Sequence, residues 1–248
     1  VNKKLLILSG IVAALVLAAY VGLEYFLGHA VKVGVNAVAP KITQTKVELA
    51  GAVISPLSGS GTLTGLTVGN PAGWTADKAF YFGKVHLKLK PFSIFGDFIE
   101  IDEIIVEQPE FTYETKIIAS NIGDLLKNIE AVTGRADKSA EPTAKSGKPI
   151  KFAVKKLNIK SGTVSVGLGA AAIKVPLPPL ELTELGTKEG GITPDQLTVA
   201  VMRRLAPDII SAAAKAALQL GGTGDGTAAE NVKKAGDAIK SLFGGDKK

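Results

Sequence analysis

A few groupings in this chain have residue types and spacings that could do chemistry. Glu100, Asp102 and Glu103 gather carboxylates, and in a strand Glu100 and Asp102 share one face, a geometry suited to a cation or to acid–base work. A solvated strand face is the plainer reading of the same residues. Gly167-x-Gly169-x-x-Ala172, with Glu189 about twenty residues on, imitates a dinucleotide fingerprint. That fingerprint needs a helix straight after the turn to receive the pyrophosphate, and Pro176, Pro178 and Pro179 forbid one of useful length. Gly59-Ser60-Gly61 lacks the G-x-S-x-G elbow of a nucleophilic serine. There is no Cys, which excludes thiol nucleophiles, disulfides and cysteine zinc sites. Only two histidines are present: His29 borders an apolar segment and His86 alternates with lysines on an exposed strand side. No P-loop occurs. The residues point to no catalytic centre, no metal and no cofactor.

The elements that carry these residues suggest a different kind of protein. With 248 residues there is room for one ordinary domain or two small ones, and 46% hydrophobic against 21% charged residues argues for a folded core. The net charge of +6 is spread along the chain, and Arg is limited to Arg135, Arg203 and Arg204. Weak attraction to anionic lipid head groups fits this balance; readout of nucleic acid does not.

Lys3 and Lys4 precede Leu5–Leu23, a segment without a charge. As a helix it would span roughly 28 Å, close to the ~30 Å hydrocarbon core of a bilayer. An uncleaved signal-anchor is expected, with the lysines cytoplasmic and the rest of the chain exported. Val16-Leu17-Ala18 and Gly28-His29-Ala30 are passable cleavage triplets, so removal of the segment is the alternative. Tyr20, Tyr25 and Phe26 would lie near the outer interface.

Beyond a short amphipathic connector, Ala30–Pro40, the periodicity switches to two. Strands are predicted at Lys46–Ile54, Thr62–Val68, Phe80–Leu89, Ile99–Glu107 and Glu110–Thr115, with Asn70-Pro71-Ala72-Gly73-Trp74 as a loop and Gln108-Pro109 as a break. A helix starts at Asn121 and carries Ile122, Leu125, Leu126, Ile129 and Val132 as its apolar stripe. Residues 134–149 read as a flexible linker. Further strands follow at Ile150–Val154, Lys156–Lys160, Thr163–Leu168 and Ile173–Val175, then an extended Pro-rich edge at Leu177–Leu185. A short echo links Ile104-x-Val106-x-x-Pro109-x-Phe111-x-Tyr113 to Leu157-x-Ile159-x-x-Gly162-x-Val164-x-Val166, 53 positions later. Thr193-Pro194-Asp195-Gln196 is a helix start, and Pro207 is expected to kink or restart that helix. Residues 221–248 read as a Gly-rich hinge and an amphipathic helix, placed either on a membrane surface or back on its own domain. The implied organisation is an anchor and juxtamembrane segment at 1–30, a first β-rich part with its closing helix at 31–133, and the linker. A second β-rich part with a helix in the same sheet follows at 150–220, before the terminal helix.

Several stretches resemble the AsmA family: GSGTLTGLTVGNPAGW at 59–74, VHLKLKP at 85–91 and IEIDEIIVEQPEFTYE at 99–114. VKKLNIKSGTVSV at 154–166 and PLPPLELTELGTKEGGITPDQL at 176–197 are similar to small AsmA-like proteins. The resemblance covers about residues 1–205 and its motifs are structural. It implies a membrane-anchored periplasmic protein of the bacterial inner membrane that supports outer-membrane biogenesis, related to chorein-like β-groove proteins that carry acyl chains along an apolar trough. The trough candidates are then Leu66, Val68, Val85, Leu87, Leu89, Ile104, Val106, Phe111, Tyr113, Leu157, Ile159, Val164, Val166 and Leu168. The expected fold is α+β: a transmembrane helix, a twisted and largely antiparallel sheet with an open groove, and flanking amphipathic helices. Nine or ten strands side by side would give a groove of roughly 45 Å. The expected partners are the inner membrane, a phospholipid or other acyl-chain lipid, and other envelope proteins, with no nucleic acid and no enzymatic activity. The alternative is a membrane-anchored scaffold with a closed core and no lipid cargo.

Overall fold

The structure, a computed structural model, describes residues 3–93, 96–116, 119–134, 150–167, 172–221 and 230. Its first element is one helix, α1 (Lys3–Thr43), so the apolar segment and the Ala30–Pro40 connector are continuous. Pro40 sits in its last turn, and the helix closes where Gln44 takes φ 55° and donates its N–H to the Pro40 carbonyl. Nine strands follow in a single mixed sheet: β1 (Val47–Ile54), β2 (Ser60–Gly69), β3 (Lys78–Leu89), β4 (Ile99–Glu107), β5 (Glu110–Tyr113), β6 (Phe152–Ile159), β7 (Gly162–Val166), β8 (Ile173–Leu177) and β9 (Leu180–Leu185). Two further helices, α2 (Asn121–Thr133) and α3 (Pro194–Gly221), complete the described fold, which is α+β. Ile150–Val154 and Lys156–Lys160, expected as separate strands, are the single strand β6, because its ladders to β4 and β9 keep one register on both sides of Lys155.

Largely antiparallel pairing holds for six of the eight strand pairs. The pairs β4–β6 and β5–β7 are parallel. These parallel pairs are where the sequence echo lies. Ile104 pairs with Leu157, Val106 with Ile159, Phe111 with Val164 and Tyr113 with Val166, each pair 53 positions apart. The repeat is therefore a register: its two copies lie side by side, and α2 belongs to the crossover that a parallel connection requires. Gly162 has a steric role here, since a Cβ on it would come within 2.5 Å of the Pro109 carbonyl oxygen in the neighbouring copy.

The registers also join strands that the sequence separates. β4 and β5 pair with β3 in one unbroken register, from Leu87↔Ile104 to Phe80↔Phe111, despite the break at Gln108-Pro109. β6 with β7, and β8 with β9, behave in the same way. The sheet is consequently six strands wide: β1, β2, β3, β4–β5, β6–β7 and β8–β9. That width is roughly 24 Å, about half of what nine or ten separate strands would give.

The breaks fall on one line across the sheet. Gly65, at φ +64°, lies between the pairs Leu66↔Phe82 and Thr64↔Lys84, opposite Gly83, and Gln108 takes φ 44°. On that line the apolar alternation slips by one residue in every strand, from Leu49 to Ala52, Leu63 to Leu66, Phe82 to Val85, Val106 to Phe111, Ile159 to Val164 and Leu177 to Leu180. Residues on that line drop out of the strand pairing, and from β2 to β9 the apolar series on its two sides reach the same core.

That core is closed over much of its extent. α3 packs on β5, β7, β8 and β9 and also against α2, while α1 lies along β1 and touches α2. The Ser120 hydroxyl caps α2 by accepting the Gly123 N–H at 3.1 Å. Thr193 starts α3 as expected, its N–H reaching the Gln196 side chain at 3.0 Å. α3 then runs through Pro207 without the expected restart. A proline removes one helical hydrogen bond, but Leu205, Ala206, Ile209 and Ile210 around it are buried and hold the turn. At the far end of the sheet a buried carboxylate, Glu114, takes hydrogen bonds from Thr75 N–H, Ala76 N–H and the Asn70 amide. Asn121 ties the same loop to β5 through Asn70 Oδ1 and the Thr112 carbonyl. The NPAGW segment is thus a clamp, with Trp74 Nε1 donating to Asp124 at 3.1 Å.

The helix α1 meets β1 through two specific contacts. Asn36 uses its amide on both the N–H and the C=O of Leu49, at 2.6 and 3.3 Å, as a neighbouring strand would. At Gly28 a Cβ would stand 2.2 Å from the Ala52 carbonyl oxygen, so the helix backbone rests on the strand. Gly28→Ala should therefore destabilise the fold by about 1–3 kcal/mol, although alanine favours helix, because strand backbone cannot yield. A lower urea midpoint of the full chain in detergent micelles is the expected result. Tyr113 offers the opposite case. It is fully buried and its hydroxyl makes no hydrogen bond, although the Ser120 and Thr115 hydroxyls lie near; burial pushes its phenol above the ordinary range. Tyr113→Phe should leave the midpoint unchanged or raise stability by up to about 1 kcal/mol, since it removes an unsatisfied buried group.

Candidate functional site

The carboxylates that could have held a cation are engaged separately. Glu100 receives Lys90 at 2.9 Å, Asp102 receives Lys155 at 2.6 Å and Glu103 accepts from the Asn158 amide at 2.8 Å. His86 faces Glu107 at 3.4 Å and Lys156 faces Glu181 at 3.1 Å. Apart from Lys90, which lies on the β3–β4 turn, these are cross-strand pairs on the polar side of a sheet. Asp102 raises the Lys155 ammonium above its ordinary range, first by hydrogen bonding and then by its charge. Among the described residues no group of three or more His, Asp or Glu side chains could hold a metal. His29 stacks on Tyr25 at the surface of α1. Gly169 and Leu168 lie outside the described residues, as do the linker from residue 135 and, except for Glu230, the terminal segment 222–248.

A concave feature among the described residues is apolar. Between α1 and the sheet lies a cavity of about 510 Å³, within the range of small-molecule sites. One stripe of α1 roofs it: Leu27, Val31, Val35, Val38 and Ile42, with Gly34 between them. Residues four and then three or four apart share a helix face, so this stripe is a single surface. The floor is the near half of the sheet face, on one side of the line of breaks: Ile54, Leu63, Leu87, Leu89, Ile99 and Phe152. Pro194 and Thr198 at the start of α3 close one side. Polar groups are few and lie at the margin, in Ser55, Lys90 and Thr198.

The trough candidates distribute unevenly over this geometry. Leu87 and Leu89 line the cavity. Val68, Val85, Val106, Phe111, Tyr113, Leu157, Ile159 and Val164 are buried in the core, and Leu66, Ile104 and Val166 are half-buried against it. The line of breaks does not separate the two groups: Val85, Val106, Leu157 and Ile159 lie on the same side of it as Leu87 and Leu89 but are covered. What periodicity missed is the roof: the Leu27, Val31, Val35, Val38, Ile42 spacing is legible in the sequence, but only its docking on β1 identifies it as a lining. Leu63, Ile99 and Phe152 were missed because the apolar phase slips along the strands that carry them.

The cavity lies at one end of the sheet, and that end is also where α1 departs. Tyr20 hydrogen-bonds Ser55 at 2.6 Å, at the tip of β1, and α1 continues towards its N-terminus without contact to the sheet. That free part is apolar and exposed, including Leu6, Ile7, Leu15, Val16 and Leu17. Among the described residues α1 is the one helix long and apolar enough to cross a membrane.

No family model, curated protein or solved structure matches this chain.

Gly34 gives direct access to the cavity by mutation, because a Cβ built there meets nothing within 4 Å. Gly34→Leu should fill the space and strengthen the helix by about 1 kcal/mol. The expected outcome is loss of binding of a fluorescent fatty acid to the full chain in micelles, with an unchanged or higher urea midpoint.

Proposed function

We propose that this chain is a membrane-anchored, non-enzymatic lipid-binding or lipid-transfer protein of the cell envelope, working as its AsmA-like segments imply. In this reading the free part of α1 spans the inner membrane, the sheet domain is periplasmic, and the protein supports outer-membrane assembly. The observation that carries the proposal is the position of the apolar cavity: its roof is the continuation of the anchor helix. An acyl chain leaving the bilayer beside α1 meets the cavity without crossing water. Transfer between two apolar environments is close to neutral, whereas exposure to water costs about 0.8 kcal/mol per methylene. The domain therefore acts as a local acceptor or hand-over site. A sheet six strands wide reaches only roughly 24 Å, so spanning the envelope would require partners or further copies.

The closed core favours a second reading, in which the domain is an anchored scaffold without cargo. Eight of the trough candidates are buried in that core rather than facing a cleft. Native mass spectrometry of the full chain released from membranes, with extraction of bound lipid, separates the two. Stoichiometric phospholipid that falls several-fold in Gly34→Leu is the expected result. A clean unliganded mass in gentle detergent would favour the scaffold.

A further inference from the structure

The end of the domain that faces α1's free part carries two exposed side chains that water does not favour. Leu57, in the β1–β2 hairpin tip, is 65% exposed, and Phe92, in the β3–β4 turn, is 64% exposed. The two tips adjoin one another, because Leu89 N–H donates to the Gly59 carbonyl at 2.7 Å. Phe92 holds a left-handed backbone, φ +65°, where glycine or asparagine would be easier to place. A turn that needed only its geometry would not require a large exposed ring at a strained position.

The height of these tips follows from α1. The helix and β1 run antiparallel, with Asn36 beside Leu49, Gly28 beside Ala52 and Tyr20 beside Ser55. Leu57 lies beyond Ser55 along the same direction, so it stands at least as far towards the N-terminal half of α1 as Tyr20 does. Residues 3–23 of that helix span roughly 31 Å, about one hydrocarbon core, which sets Tyr20 at the bilayer boundary.

From this we infer that Leu57 and Phe92 form a second membrane contact, a rim that inserts into the lipid interface beside the anchor and seats the cavity mouth against the bilayer. The occupant is the lipid surface itself, engaged by apolar insertion. Lys90 on the same turn is already paired with Glu100 through both carboxylate oxygens, so the contact needs no anionic head group. With the rim seated, the domain stands on its cavity end rather than swinging freely about α1. The inference rests on α1 spanning the membrane, and is independent of whether the cavity carries lipid.

Fluorescence tests it on the full chain in phosphatidylcholine vesicles containing acyl-chain-brominated lipid. The chain has a single tryptophan, Trp74, in the loop at the opposite end of the sheet, which serves as an internal control. Two variants, Phe92→Trp with Trp74→Phe and Leu57→Trp with Trp74→Phe, place the probe on each tip in turn. At least two-fold quenching in both variants, with the native chain unquenched and no dependence on salt, is expected. Unquenched variants in a chain that floats with the vesicles would overturn the rim, as would equal quenching of Trp74 or failure of the chain to float. Quenching in a chain that binds no lipid in mass spectrometry would reject the cargo and leave the rim standing.

Discussion

An edge strand exposes a row of unpaired N–H and C=O groups, and the arrangement of this protein depends on how β1 is relieved of that exposure. The relief comes from α1. Asn36 answers the Leu49 peptide groups as a partner strand would, and Gly28 lets the helix backbone rest directly on Ala52. Fixing α1 at this edge forces its next stripe of side chains to overhang the near half of the sheet face. The apolar cavity is the space left beneath that overhang. The same contact determines which end of the sheet looks along the free part of the helix, and so which loops stand beside it. The opposite edge is protected differently, by Pro176, Pro178 and Pro179 in and between β8 and β9, which have no N–H to offer a further strand.

The second organising feature is the line of breaks across the sheet. Taken singly, Gln108-Pro109 looks like the end of a short strand, while Gly65 and Pro178-Pro179 look like incidental residues within extended segments. Taken together through the registers, they lie at one level, and the apolar alternation slips there in every strand. Had only one strand carried such a break, its side chains beyond it would have turned to the wrong face. Because all carry it, the apolar face stays continuous across the line, with α3 packed on β5, β7, β8 and β9 and α1 overhanging part of the near half. The polar face is laced by lysine–carboxylate pairs, which also explains why clustered acids at Glu100 to Glu103 do not converge.

Much of this was legible in one dimension. The apolar run at the N-terminus, the strand positions, the start of α2, the cap of α3 and the 53-residue echo all depend on neighbours a few residues apart or on direct repetition, and such information is local. The mixed character of the sheet was not legible, since the echo reveals likeness between two segments without giving their direction or adjacency. The width of the sheet was misjudged for a related reason: a Pro or Gly that ends a strand and one that only interrupts it have the same appearance in sequence. Only the partner's register separates the two cases.

The sequence by itself determined that the chain has a long apolar N-terminal helix, an α+β remainder and no concentration of reactive side chains. Those properties follow from composition and periodicity, which act through the local backbone and the partition of side chains between water and an apolar phase. Tertiary structure alone decided that Leu27, Val31, Val35 and Val38 roof a cavity while Phe111, Tyr113 and Val164 are sealed in a core. Both sets are apolar residues at regular spacing, and hydrophobicity drives each to be covered without specifying by what. The choice was made by close steric fits and directional hydrogen bonds between residues distant in sequence, such as Gly28 on Ala52 and Asn36 on Leu49, which no local pattern encodes.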